Sequence, residues 1–184
     1  METLNPRSRS DPFGSRINRA HSPILALGLP WFTIMLGSLT PWLPILAPAP
    51  VLPPFGFMVL LAWRLLRPGL LPLWAGMPLG MFDDLYSGQP FGSAVLLFSL
   101  TLLVIEVIEY RFPWRGFLLD WGLATVILAV YLAVAALISG ARLTPVQLTV
   151  IVPQLLLSIV LYPFVAHLVA LLDRLRLMRV RRLG

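Results

Sequence analysis

Residues 80–92 read GMFDDLYSGQPFG, with two adjacent carboxylates, Asp83 and Asp84, set among Gly80, Gly88 and Gly92. Apolar sequence runs up to this stretch from residue 70 and resumes at residue 91, so the glycines and Pro90 mark a tight reversal between two hydrophobic helices. Turn-forming aspartates commonly accept backbone N–H bonds from the residues that follow them. Asp84 is therefore expected to accept bonds from the turn over residues 87–92 and to cap the helix that follows, while the glycines allow the reversal and close helix packing. The alternative is an exposed turn with a solvated carboxylate.

The rest of the chain sets this turn in a membrane. Of 184 residues, 58% are hydrophobic and only 12% charged, and the mean hydropathy is +0.86. Such a chain has too little polar surface to cover a water-soluble core. All fourteen basic residues are arginines, and the net charge is +6. The charge is concentrated at the two ends, where an anionic membrane surface accounts for it and nucleic acid is not called for as a partner. Cysteine is absent, which excludes disulfides, thiolate catalysis and cysteine metal sites. His21 and His167 lie too far apart in the chain to suggest a histidine metal site.

Apolar segments run over residues 24–46, 51–66, 70–82, 91–108, 117–139 and 146–172. A bilayer core of roughly 30 Å takes about 20 helical residues, a length that the first, fifth and sixth segments reach and the second and third do not. Arginine placement decides the topology, because positive charges near span ends stay cytoplasmic. With six crossings and both termini inside, every arginine except Arg142 lies on the cytoplasmic side. Reading the second and third segments as one crossing would move Arg111, Arg115 and the C-terminal cluster outside. An intramembrane hairpin that starts and ends on the outside keeps the same parity as two short crossings. The expected fold class is thus an all-α polytopic membrane helix bundle of six transmembrane segments, with the loop around residues 83–90 outside. A flexible basic cytoplasmic tail over 1–23 precedes a membrane domain over 24–172 and a basic juxtamembrane tail over 173–184. Pro30, Pro41, Pro44, Pro72, Pro78, Pro153 and Pro163 fall within spans, each removing a backbone donor and predicting kinks.

Polar groups inside a membrane are costly and usually face protein or water. Gly92, Ser99 and Glu106 recur every seven residues on the fourth span and share one helical face, which should point inward. Gln147, Gln154, Ser158 and Tyr162 form a second stripe on the sixth span, with His167 nearly opposite. Both stripes read as interhelical hydrogen-bond seams, a ligand or ion pathway being the alternative. Gly76 and Gly80 form a small-residue pair suited to close helix approach. Glu106 and Glu109 have Arg111 and Arg115 within reach, which predicts an interfacial ion pair. Arg174, Arg176, Arg179, Arg181 and Arg182 are expected to anchor the C-terminus on lipid headgroups.

Nothing in the sequence supports enzyme chemistry. Ser87 and His167 are predicted near opposite membrane faces, too far apart for a nucleophile and its base. Asp83 and Asp84, being adjacent, point in different directions on a helix. No phosphate-cradling glycine loop precedes a lysine. No catalytic residue, metal ligand or cofactor is assigned.

The pattern Gly80-x-x-x-Asp84-Leu85-x-Ser87-Gly88-x-x-x-Gly92, after a Trp- and Pro-containing pair of short spans, resembles the signature region of the MreD family of bacterial rod-shape-determining proteins. The likeness extends along the chain: Pro41-Trp42 ending the first span, Pro53-Pro54 opening the second, Trp63 near its end, Tyr110-Arg111 closing the fourth, and Pro163 before a basic tail. Asp83 departs from the family pattern, which has an apolar residue there. The resemblance implies a non-enzymatic inner-membrane scaffold or regulator of the cell-wall elongation complex, with MreC as partner. Through that complex it would work, directly or indirectly, with a SEDS-family glycosyltransferase, a class B penicillin-binding protein and MreB. The residues it carries over are Gly80, Asp84, Gly88 and Gly92. A rival reading is the substrate-binding membrane component of an energy-coupling-factor-type transporter, also a small six-span protein, which would need a richer cluster of ligand-facing polar side chains.

Overall fold

A computed structural model describes residues 23–42, 52–111, 116–140 and 145–176. These residues are helical, with no strand among them: α1 (Pro23–Ser38), α2 (Phe55–Leu66), α3 (Gly76–Tyr86), α4 (Ser93–Arg111), α5 (Phe117–Ile138) and α6 (Pro145–Arg176). Short 3₁₀ turns occupy Thr40–Trp42 and Leu73–Ala75. Helix is the form that lets so apolar a chain satisfy its own backbone without water.

Three stretches are long and apolar enough to cross a membrane: Ser93–Arg111, Phe117–Ile138 and Ile151–Arg176. The chain is a membrane protein. With 12 and 11 residues, α2 and α3 reach about 18 and 17 Å at ~1.5 Å per residue, well short of a bilayer core. The first segment, expected to run as one long span over 24–46, breaks after Ser38, where the chain tightens into the 3₁₀ turn holding Pro41. A proline there cannot donate the N–H that would continue the helix. Pro30, Pro153 and Pro163 sit inside α1 and α6, whereas Pro78 falls in the first turn of α3, where a missing donor costs little. Pro44 lies outside the described residues.

The third segment differs from its expected bounds at both ends. It becomes helical at Gly76 and continues to Tyr86, so Asp83 and Asp84 ride on the last turns of a helix and not in a loop. Both are buried.

Successive helices alternate in direction. The ends of α1, α3 and α5 gather with the starts of α2, α4 and α6 at one end of the bundle, here the turn end. In the centre stands α2, buried over Gly56–Met58 and Leu60–Leu65 and packed on α1 and α6. Phe57 of α2 stacks on Tyr131 of α5 at 3.9 Å and tilts against Phe98 of α4 at 5.4 Å. Trp63, fully buried, donates its indole N–H to Thr33 Oγ1 of α1 at 2.9 Å. Large exposed apolar residues run along the outer faces of α4, α5 and α6, among them Leu100, Val107, Val130, Leu156, Phe164 and Leu168. In a protein with membrane-crossing helices these are lipid-facing surfaces.

Candidate functional site

The Asp84 carboxylate gathers the start of α4. Oδ2 accepts the Gly92 backbone N–H at 2.8 Å, and Oδ1 accepts that of Ala94 at 2.8 Å. Val95 N–H reaches Oδ2 at 3.3 Å, and the Ser93 hydroxyl donates to Oδ1 at 3.2 Å. The first N–H groups of a helix have no partner within it. Here they are satisfied by a carboxylate on the neighbouring helix, whose negative charge also suits the positive end of the α4 dipole. Gly88 and Gly92 take φ of +71° and +93°, values that strain any residue with a Cβ, and so let the chain reverse within a few residues.

The same geometry brings α3 hard against α4, the most extensive helix contact in the bundle. A Cβ at Gly80 would lie 2.5 Å from the Ala94 carbonyl oxygen and from Val95 Cα, and one at Gly76 would lie 2.6 Å from Ser99 Cα. Backbone atoms cannot give way as a flexible side chain can, so both positions require glycine. Gly76, Gly80, Asp84 and Gly92 thus act on one seam, with Gly88 at its turn.

Asp83, one residue earlier, faces away from that seam. Its Oδ1 and the Ser38 hydroxyl of α1 both lie over Gly56 of α2, where a Cβ would overlap Ser38 Oγ and come within 3.0 Å of Asp83. The two adjacent carboxylates therefore join different helices, Asp84 to α4 and Asp83 to the α1–α2 contact.

A second polar cluster sits at the opposite end, thirteen residues along α4 and so about 20 Å away at ~1.5 Å per residue. Arg64 of α2, 1% exposed, donates from Nη2 to Glu106 and, at 2.9 Å, to Glu109. The ion pair expected of these glutamates with Arg111 and Arg115 is thus made with Arg64 instead: Arg111 is exposed, and Arg115 lies outside the described residues. Beside it, Arg67 pairs with Asp173 of α6 at 2.8 Å, and Arg176 pairs with Asp173 at 3.1 Å. The Arg176 guanidinium lies 5.8 Å from the Trp63 ring centre, a cation–π distance. Arg176 is buried, so the headgroup role expected of it does not fit its surroundings; Arg174 is exposed, while Arg179, Arg181 and Arg182 lie outside the described residues. Buried ions persist only when paired, which is why this arginine turns inward.

The polar stripes divide. On α4, Ser99 meets Gly76 while Glu106 stays half exposed beside Arg64. On α6, Gln154 donates to the Leu52 carbonyl at 2.8 Å, Ser158 donates to the Gln154 carbonyl at 2.7 Å, and Tyr162 is buried. The Gln147 side chain lies outside the described residues. His167 is exposed. Among the described residues no group of three His, Asp or Glu could hold a metal ion.

The sequence matches the family described as rod shape-determining protein MreD over residues 24–174. The chain belongs to the MreD family. The MreD match runs from the start of α1 nearly to the end of α6, so it takes in the Asp84 cap, the glycine seam and the Arg64 ion pairs. No curated protein and no solved structure matches the chain. Membership points to a role in rod-shape determination, in a family known for shape and not for catalysis.

Arg64 and its partners could not be read from sequence spacing, since Arg64 and Glu106 are forty-two residues apart. An arginine inside a short apolar segment is the one available signal, because such a charge must find a partner.

Proposed function

We propose that this protein is a multi-pass inner-membrane scaffold of the bacterial wall-elongation complex, a partner of MreC needed for rod shape and lateral peptidoglycan synthesis. The observation that carries this reading is the MreD match over nearly the whole helical bundle. The bundle supports it physically. Two polar clusters, one at each end of α4, lock the helices to one another, as suits a part whose work is to hold others in place. In this reading the Asp84 turn faces outside, and the Arg64 and Arg176 ion pairs lie at the cytoplasmic end with both termini, in keeping with the arginine bias. The seam of Gly76, Gly80, Asp84, Gly88 and Gly92 sets the shape of the outer end. Arg174, with Arg179, Arg181 and Arg182, meets anionic headgroups at the inner one.

Affinity purification of the tagged protein from its native membrane in mild detergent, followed by mass spectrometry, tests the proposal. Recovery of MreC, with the SEDS glycosyltransferase, the class B penicillin-binding protein or MreB in the wider complex, is the expected result. Recovery of an ATPase pair and a coupling subunit in their place would overturn it in favour of a transporter component.

A further inference from the structure

At the turn end of the bundle, between α1, α2, α3, α5 and α6, lies a cavity of about 390 Å³. That is the size of a small-molecule site, which typically measures ~300–1,000 Å³. Its walls combine apolar residues, Pro53, Phe55, Leu132 and Ala135 among them, with polar side chains that include Ser38, Asp83, Gln89 and Tyr131.

The charge in this cavity is one-sided. Asp83 is the sole charged residue among the described residues that line it, and none of these is an arginine, lysine or histidine. The contrast with Asp84 is sharp: that carboxylate is met by the N-terminus of α4, whereas Asp83 turns toward the open space. Beside it Ser38 is 2% exposed, and its hydroxyl, though it faces Asp83, meets ordinary hydrogen-bond geometry with no described residue. Tyr131 of α5 and Gln89 of the α3–α4 turn line the same cavity and complete the polar patch. Gly56 keeps its floor open, since any Cβ there would fill the space between Ser38 and Asp83.

A buried carboxylate without a cation is costly, and a polar group left unmatched beside it adds to that cost. Both are relieved by the same guest. An ammonium group offers three donors and one positive charge, which Asp83, Ser38 and the Tyr131 or Gln89 oxygen can receive together. Anions are disfavoured, because no cation is among the described residues of the walls.

We propose that this cavity binds a primary ammonium group carried on a small apolar body, the ammonium held by Asp83 and Ser38 and the body lying against Pro53, Phe55 and Leu132. This goes beyond a scaffold role, which requires no ligand. Free amines and ethanolamine lipid headgroups both carry this chemistry.

The chain has no cysteine, so Ala136→Cys on the cavity wall places a single reporter thiol there. The full-length protein is reconstituted in phosphatidylglycerol nanodiscs and labelled with 2-aminoethyl or 2-sulfonatoethyl methanethiosulfonate, each rate taken relative to that with a free thiol. The cationic reagent should react about tenfold faster, a ratio set by one nearby charge at intermediate dielectric. Butylammonium should slow labelling several-fold, and butanol, of equal length and uncharged, should not. Asp83→Asn should abolish both the preference and the protection. Should that variant not fold, the butylammonium and butanol comparison on the Asp83 chain decides alone. Slowed labelling in phosphatidylethanolamine nanodiscs without added amine identifies the headgroup as source, and protection by added amine alone identifies a free amine. Equal rates for the two reagents, or equal protection by butanol, would overturn the proposal.

Discussion

Arg64 on α2 donates to Glu109 on α4 at 2.9 Å from a side chain that is 1% exposed, whereas its other partner, Glu106, is 53% exposed. The arginine is the most deeply buried member of this cluster; Glu109 is 13% exposed, and Glu106 is the one of the two glutamates open to water. Removal of the two sides should therefore have unequal consequences. Glu106→Gln with Glu109→Gln strands a buried cation and should cost about 3–5 kcal/mol. Arg64→Met keeps the volume and leaves Glu106 hydrated and Glu109 partly so, and it should cost less. Thermal unfolding in detergent would compare the two, and equal losses would show that burial of Arg64 is not what matters.

Asp84→Ala leaves the backbone N–H groups of Gly92, Ala94 and Val95 without their acceptor. Loss of a helix cap costs about 0.5–2 kcal/mol, and the buried setting places this one at the upper end. Asp84→Asn keeps one acceptor oxygen and should fall between. The steady-state amount of protein in the membrane is the readout, and wild-type abundance for Asp84→Ala would refute the capping role.

Gly80→Ala should destabilise the α3–α4 seam by about 1–3 kcal/mol, the usual cost of forcing atoms into a packed contact. Gly122, on α5, provides the control, because a Cβ there meets nothing within 4 Å. Gly122→Ala should be neutral or stabilising by up to about 1 kcal/mol through helix propensity. If both substitutions shift the melting temperature alike, close approach does not explain Gly80.

Arg176 and Arg174 stand two residues apart on α6 with opposite fates, the first buried on Trp63 and Asp173 and the second exposed. Arg176→Gln should lower the melting temperature by several degrees, a loss of about 1–2 kcal/mol for a domain of this size. Arg174→Gln should leave it within about 0.5 kcal/mol of wild type. A matching loss for Arg174 would place both arginines in the same role.

Much of the helical order was legible in the sequence because apolar length and turn chemistry are local. The reversal at residues 80–92, the long apolar stretches of α4, α5 and α6, and the glycines of α3 all follow from neighbours along the chain. The end of the first span did not, since Pro41 alone does not say whether a helix bends or stops. The bounds of α3 were hidden as well, because the aspartates that look like loop residues are helical once Asp84 has α4 to cap and Asp83 has α1 and α2 to meet.

By itself the sequence determined that this is an apolar, helical membrane chain with the MreD pattern at its central turn, because hydropathy, glycine spacing and arginine bias are properties of composition and order. Only the tertiary structure decided which charges meet. Arg64 finds Glu106 and Glu109, Arg176 turns inward onto Trp63, and the adjacent carboxylates Asp83 and Asp84 part company. A charge in an apolar bundle takes whichever partner the packing of α2 against α4 and α6 brings within about 3–4 Å, and that packing joins residues that are remote in the chain.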